Sequence, residues 1–127
     1  MFFSLKLFVI GLFFALCSSA NAYHWSTQSG HYYNHQGHYQ GRIDDNGKAY
    51  DAKGLYTGRH DNDGRHYDQH GHYTGRIDTN GRIYDEFGKY LGHKKDGHHY
   101  DRNGRYIGHE RNSRFYDEIG RYRGQVK

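Results

Sequence analysis

Aliphatic side chains are scarce in this sequence. Beyond residue 22 it has only eight Ile, Leu and Val, which excludes a large aliphatic core and a multidomain enzyme with a deep cleft. The one cysteine, Cys17, lies in the N-terminal segment, so the rest of the chain has no disulfide to lean on. No proline occurs, and the turns fall to Gly, Asp and Asn. Catalytic signatures are missing too: there is no GxSxG, no HExxH and no isolated carboxylate pair, which argues against an enzyme. Net charge is only +4, low for a nucleic-acid binder.

What is present divides at residue 22. Met1 to Ala22 reads as a secretory signal peptide: Lys6 is its single charge, an apolar run spans Leu7 to Cys17, and Ala20 and Ala22 are small residues suited to cleavage after Ala22. The run is shorter than the ~20 residues of a membrane span. An exported chain without cysteine fits a bacterial periplasm or exterior. Residues 23–127 then form a single domain carrying all 14 Tyr, all 12 His and every acidic residue, with no transmembrane span.

That domain is one repeat of 16–17 residues, with units starting at Tyr33, Tyr50, Tyr67, Tyr84, Tyr100 and Tyr116. Each unit encodes two turns. Asp-x-x-Gly, as in Asp51 to Gly54, suits a type I turn closed by a left-handed Gly, which makes a three-residue hairpin loop. That loop sets Tyr50 opposite Tyr56, and likewise Tyr33–Tyr39, Tyr67–Tyr73, Tyr84–Tyr90, Tyr100–Tyr106 and Tyr116–Tyr122. The second turn, Asn46-Gly47, Asp63-Gly64 or Asn80-Gly81, reads as a two-residue loop pairing Ile43 with Tyr50 and Ile77 with Tyr84. The two shorter units, the fifth with Ser113 in place of the turn Gly, do not fit this register. The expectation is an all-β antiparallel meander of about a dozen short strands, closed or flower-like, with a Tyr-rich core. The Gly two places after each second Tyr would leave room for a neighbouring ring.

The YDxxGxYxGR units with a following NG turn resemble the bacterial β-flower repeat proteins, over Tyr33 to Lys127. The resemblance implies hairpin petals around a central axis and a non-enzymatic role. This chain has Tyr where that family often has Ile, and it is richer in His. The YDxxGR core is also similar to the YD repeats of large secreted toxin shells, which are many times longer.

Three functional readings follow. Tyr rows can pack on sugar rings while Arg, Asp and His hydrogen-bond hydroxyls or anionic groups, which points to a structural or binding module for an envelope glycan or anionic surface. Its candidate residues are Tyr39, Tyr56, Tyr73 and Tyr90 with Arg42, Arg59 and Arg76. Clustered imidazoles suit Zn, Cu or Ni, with His66, His70, His72, His93, His98 and His99 as candidate ligands. Against that, most His occupy slots that other units fill with Arg, Lys or apolar residues, as exposed or half-exposed fillers. The third reading is a self-assembling surface protein, since Tyr/Gly/Asn-rich strands can stack between chains. The Asp residues read as turn formers rather than catalytic carboxylates. Twelve His would also raise the charge in mild acid and strengthen adhesion to anionic surfaces.

Overall fold

The computed structural model describes residues 27–127. The signal-peptide reading of Met1 to Ala22, with Ala20 and Ala22 at the cleavage site, lies outside the described residues. The described chain forms twelve strands and no helix. They are β1 (Gly30–Asn34), β2 (Tyr39–Ile43), β3 (Lys48–Asp51), β4 (Tyr56–His60), β5 (Arg65–Asp68), β6 (Tyr73–Ile77), β7 (Arg82–Asp85), β8 (Tyr90–Lys95), β9 (His98–Asp101), β10 (Tyr106–Arg111), β11 (Arg114–Asp117) and β12 (Tyr122–Val126). Every strand pairs antiparallel with its chain neighbours, and β1 pairs with β12, so the meander closes into a barrel. Closure pairs both terminal strands and leaves no open edge to template further pairing. Among the described residues no helix is long and apolar enough to cross a membrane.

The first turns form as their sequence dictates. Gly54 N–H donates to the Asp51 carbonyl, and Asp51 N–H donates to the Leu55 carbonyl, which closes a three-residue loop. The Asp51 carboxylate accepts from the backbone N–H of Lys53 and Leu55, tying the loop from inside. The same Asp-centred loop recurs at Asp68, Asp85, Asp101 and Asp117, with Asn34 standing in for Asp in the first unit. All six Tyr pairs form across these hairpins.

The second turns correct the sequence reading. Asp44 N–H donates to the Lys48 carbonyl and Gly47 N–H to the Asp44 carbonyl, so this loop also has three residues. Ile43 therefore pairs with Ala49 and Ile77 with Ile83, while Tyr50 and Tyr84 face Arg42 and Arg76. A bulge keeps the Tyr pairs on one face all the same. Between Ala49 and Tyr50 the register slips by one residue against β4, so Tyr50 opposes Tyr56 but Ala49 opposes Gly58. The slip sits at the Gly two places after the second Tyr, and it recurs in every unit. Gly58 has φ +144°, and a Cβ there would lie 2.2 Å from the Tyr67 carbonyl oxygen. That Gly makes room for a neighbouring backbone, not for a ring.

The shorter units absorb their missing residue inside the second loop. Lys95 pairs with His98 across a two-residue turn in which Asp96 and Gly97 both have positive φ. Arg111 pairs with Arg114 across Asn112 and Ser113, again both positive. This is the mirror-image type I turn, and the strands beyond it keep the barrel register.

Bulge and loop together fix what lies inside. Six cross-strand pairs point into the barrel: Tyr32–Val126, Ile43–Ala49, His60–His66, Ile77–Ile83, Lys94–His99 and Glu110–Phe115. Tyr32, Ile43, Phe115 and Val126 form one buried cluster with Ala49 packed against it, and the Tyr32 and Phe115 rings stack at 6.1 Å. Among the described residues the core is thus built mainly from the residue before each repeat Tyr and the residue two after each bulge Gly, with Tyr32 its one buried tyrosine; Ile107, beside the bulge Gly108, is buried as well. The other Tyr rows form as expected but lie on the outer face, half-buried or exposed.

Candidate functional site

Two arrangements of chemistry-bearing side chains result, one on each face of the sheet. The outer face carries a belt of twelve tyrosines in six pairs, with ring centroids 5.7 to 6.0 Å apart and steeply tilted. Between successive pairs a cation covers a ring. The Arg42 guanidinium lies 4.1 Å above Tyr50, Arg59 lies 4.1 Å above Tyr67, and Arg76 lies 4.4 Å above Tyr84. Asp44 accepts from Arg42 Nε at 2.9 Å and Asp61 from Arg59 Nε at 3.1 Å, which orients both forks. In the shorter units His takes the Arg slot: His93 stacks on Tyr100 at 4.7 Å and His109 on Tyr116 at 4.8 Å. Each bonds back to the preceding Tyr, His93 Nδ1 to Tyr90 Oη at 3.0 Å and His109 Nδ1 to Tyr106 Oη at 2.6 Å. Burial, then the neighbouring His98, holds His109 below the usual imidazole range. The structure therefore brings Tyr39, Tyr56, Tyr73, Tyr90, Arg42, Arg59 and Arg76 onto one continuous surface.

The six sequence-predicted metal ligands do not assemble. His66 and His99 are in the barrel, His70 and His72 sit on the exposed β5–β6 loop, and His93 and His98 are on the outer face. Among the described residues no group of three or more His, Cys, Asp or Glu is placed to hold a metal ion. The reading of these histidines as exposed fillers is corrected at His66 and His99, which are 9% and 1% exposed. They occupy the inward slot that Ala49, Ile83 and Phe115 fill in other units.

The barrel interior is polar over one sector. Glu110 Oε1 lies 3.1 Å from Lys94 Nζ and 3.3 Å from His99 Nε2. Burial pushes the Glu110 carboxyl up, but the His99 hydrogen bond and the Lys94 charge outweigh it and hold the group below its ordinary range. Beside this, His60 and His66 face each other with ring centroids 5.8 Å apart. Burial, reinforced by the charge of His60, pushes His66 down to about 4. Burial also lowers His60, against a hydrogen bond to the backbone of Thr27. Both rings line a cavity of about 420 Å³, shared with Ile77, Lys94, Thr27, Asp44, Asp45 and Asp61. Sequence reasoning missed Lys94, Glu110 and the His60–His66 pairing. The signal was available, because counting two residues on from each bulge Gly puts Ile43, His60, Ile77, Lys94, Glu110 and Val126 in one slot.

No protein-family model matches the chain, and no curated protein matches it. Among solved structures, a chain from the crystal structure of a GtfA/B complex bound to UDP and GlcNAc aligns with 72% of this chain at 12% identity and a TM-score of 0.16. This chain spans 21% of that chain's length, and a likeness so weak carries no argument about fold or function.

Proposed function

We propose that this is an exported, non-catalytic binding module of the bacterial cell envelope, which takes an anionic glycan or glycolipid surface on its outer belt. One observation carries the reading: the barrel fills its interior with other residues and leaves twelve tyrosines on the outside, interleaved with Arg42, Arg59 and Arg76. Half-exposed rings offer flat apolar faces to sugar, and each guanidinium held over a ring offers donors to a carboxylate or phosphate. The regular spacing suits a repeating polymer, engaged at several units in turn. Export rests on the N-terminal segment read above. The β-flower resemblance agrees with a role without catalysis.

The test is titration of the full chain with lipopolysaccharide and with peptidoglycan fragments, beside the triple variant Arg42→Gln, Arg59→Gln, Arg76→Gln. Charge-assisted hydrogen bonds contribute about 1.5–3 kcal/mol each, so affinity should fall by at least an order of magnitude. Undiminished binding by the variant, or no binding by the natural chain, contradicts the proposal. Acid-enhanced retention remains part of the expectation, but His60, His66 and His109 are held below the ordinary range and their share of the charge comes only at lower pH.

A further inference from the structure

We propose that the outer face of β3–β8 carries a row of three anion-binding stations, Lys48–Arg59, Arg65–Arg76 and Arg82–His93, which takes an acidic polysaccharide bearing one acid group per disaccharide. The inference rests on the belt reading above and adds Lys48, Arg65 and Arg82 to it. Among the described residues these three cover no tyrosine ring, unlike Arg42, Arg59 and Arg76.

The register creates the stations. Beyond each bulge, Lys48 stands directly opposite Arg59, Arg65 opposite Arg76, and Arg82 opposite His93. The chain neighbours Ala49, His66 and Ile83 belong to the inward pairs, so both members of each station lie on the outer face. Like charges directly opposite one another destabilise a sheet. The slot does not require them, since the last hairpin sets Arg114 against a neutral Gln125. An oxyanion held at such a pair offsets the repulsion with charge-assisted hydrogen bonds.

The chain itself supplies too little counter-charge. The acidic residues of β3–β8 are Asp51, Asp68 and Asp85, and their carboxylates accept from backbone N–H groups of their own loops. The Asp78 carboxylate is taken up in the same way. Asp61 holds Arg59 Nε at 3.1 Å, and Asp63 lies 3.7 Å from Arg65 Nε. Among the described residues no carboxylate pairs with Lys48, Arg76 or Arg82. Each station therefore keeps one cation over. The flanking pairs do not: Asp44 holds Arg42 at 2.9 Å opposite His31, and His98 faces His109.

Spacing selects the ligand. Neighbouring strands lie ~4.8 Å apart, so a station on every second strand recurs about every 10 Å. That matches the advance of an extended glycan by one disaccharide, whose sugar faces meet the tyrosine pairs between stations. Duplex nucleic acid presents a phosphate every ~3.4 Å on each strand, far denser than the row. The outside of a barrel also lacks the groove that tracks a single strand.

The experiment is calorimetric titration of the full chain at pH 7.5 with hyaluronate oligosaccharides of increasing length, which carry one carboxylate per disaccharide. It is run beside Lys48→Gln/Arg65→Gln/Arg82→Gln. A control variant, Lys53→Gln/Lys89→Gln/Arg102→Gln, removes three exposed cations from the loops at one end of the barrel. Circular dichroism checks folding. Affinity should rise with each disaccharide up to three and then level off. The station variant should lose roughly tenfold or more, and the control variant should bind as the natural chain does. In the natural chain, NMR should show the oligosaccharide shifting the Lys48, Arg65 and Arg82 side-chain resonances whatever the fate of the variants. No binding of hyaluronate, equal losses in station and control variants, tighter binding of oligothymidylate, or undisturbed resonances overturns the proposal. Undiminished binding by a folded station variant, with loss in Arg42→Gln/Arg59→Gln/Arg76→Gln, overturns the row and leaves the belt standing.

Discussion

Replacing His66 by isoleucine should remove a defined part of the protein's sensitivity to acid. The folded chain holds His66 near 4, through burial and then the neighbouring His60, against an ordinary value of 6.5. A histidine depressed in the folded state contributes full stability above its unfolded value. That contribution falls as pH drops below 6.5 and is gone near the folded value, because the unfolded chain binds the proton first. Each pH unit in this window is worth about 1.4 kcal/mol. His66 alone should therefore cost the natural chain about 2 kcal/mol between pH 7 and pH 5, and about 3 kcal/mol by pH 4. His60 is lowered as well and acts in the same direction. In His66→Ile the term is absent, and Ile83 in the same slot of the next unit is 3% exposed, so the side chain fits. The assay is urea unfolding, followed by Tyr fluorescence, at half-unit steps from pH 7.5 to 4. The difference in unfolding free energy between variant and natural chain should widen by about 2 kcal/mol from pH 7 to pH 5. A constant difference would refute the burial of a neutral imidazole at this site.

Two backbone predictions rest on the turns and bulges. Gly58→Ala should destabilise by about 3 kcal/mol, from a strained positive φ and a Cβ 2.2 Å from the Tyr67 carbonyl oxygen. Gly54→Ala, at φ +84° with nothing nearby, should cost only about 1 kcal/mol. Equal costs in urea unfolding would contradict the bulge. Ser113→Gly should stabilise by about 0.5–1 kcal/mol, because Ser113 holds φ +64° in a two-residue turn that favours Gly. The loss of one exposed hydrogen bond from Gln28 Nε2 subtracts little, and a fall in melting temperature would count against this turn assignment.

The repeat, the all-β meander and the Tyr pairing were legible because they depend on local turn chemistry. Asp-x-x-Gly fixes a loop within five residues, and the pairing six residues apart follows by counting. The second turn misled because Asn46-Gly47 is also a strong two-residue signal. The preceding Asp44 completes the same Asp-x-x-Gly pattern as the first turn, and that pattern governs. The two-residue turn appears where the pattern is cut short, at Lys95-Asp96-Gly97-His98. The larger error followed from this one. With one residue more in the loop and one bulge per hairpin, the buried face changes from the Tyr rows to the residues beside them. A bulge leaves only a Gly as its trace, and in the sequence alone that Gly reads equally well as space for a ring. The belt residues were identified from the sequence, and their exposure came from the bulges. Five of the interior pairs join consecutive strands and follow once the loop length and the bulge are known; Tyr32–Val126 and the Tyr32–Phe115 stack needed barrel closure, which brings together strands far apart in the chain.

Closure with an inward Tyr32 underlies the whole account, since it turns the Tyr–Arg belt outward and the His60–His66 pair inward. The most direct test is a set of nuclear Overhauser effects in the full chain. The account predicts contacts between the stacked rings of Tyr32 and Phe115, and between the backbones of Tyr33 and Gln125, which are partners across the β1–β12 seam. These contacts should persist within one molecule when labelled and unlabelled chains are mixed. Their absence, or their appearance only between molecules, would contradict the closed barrel.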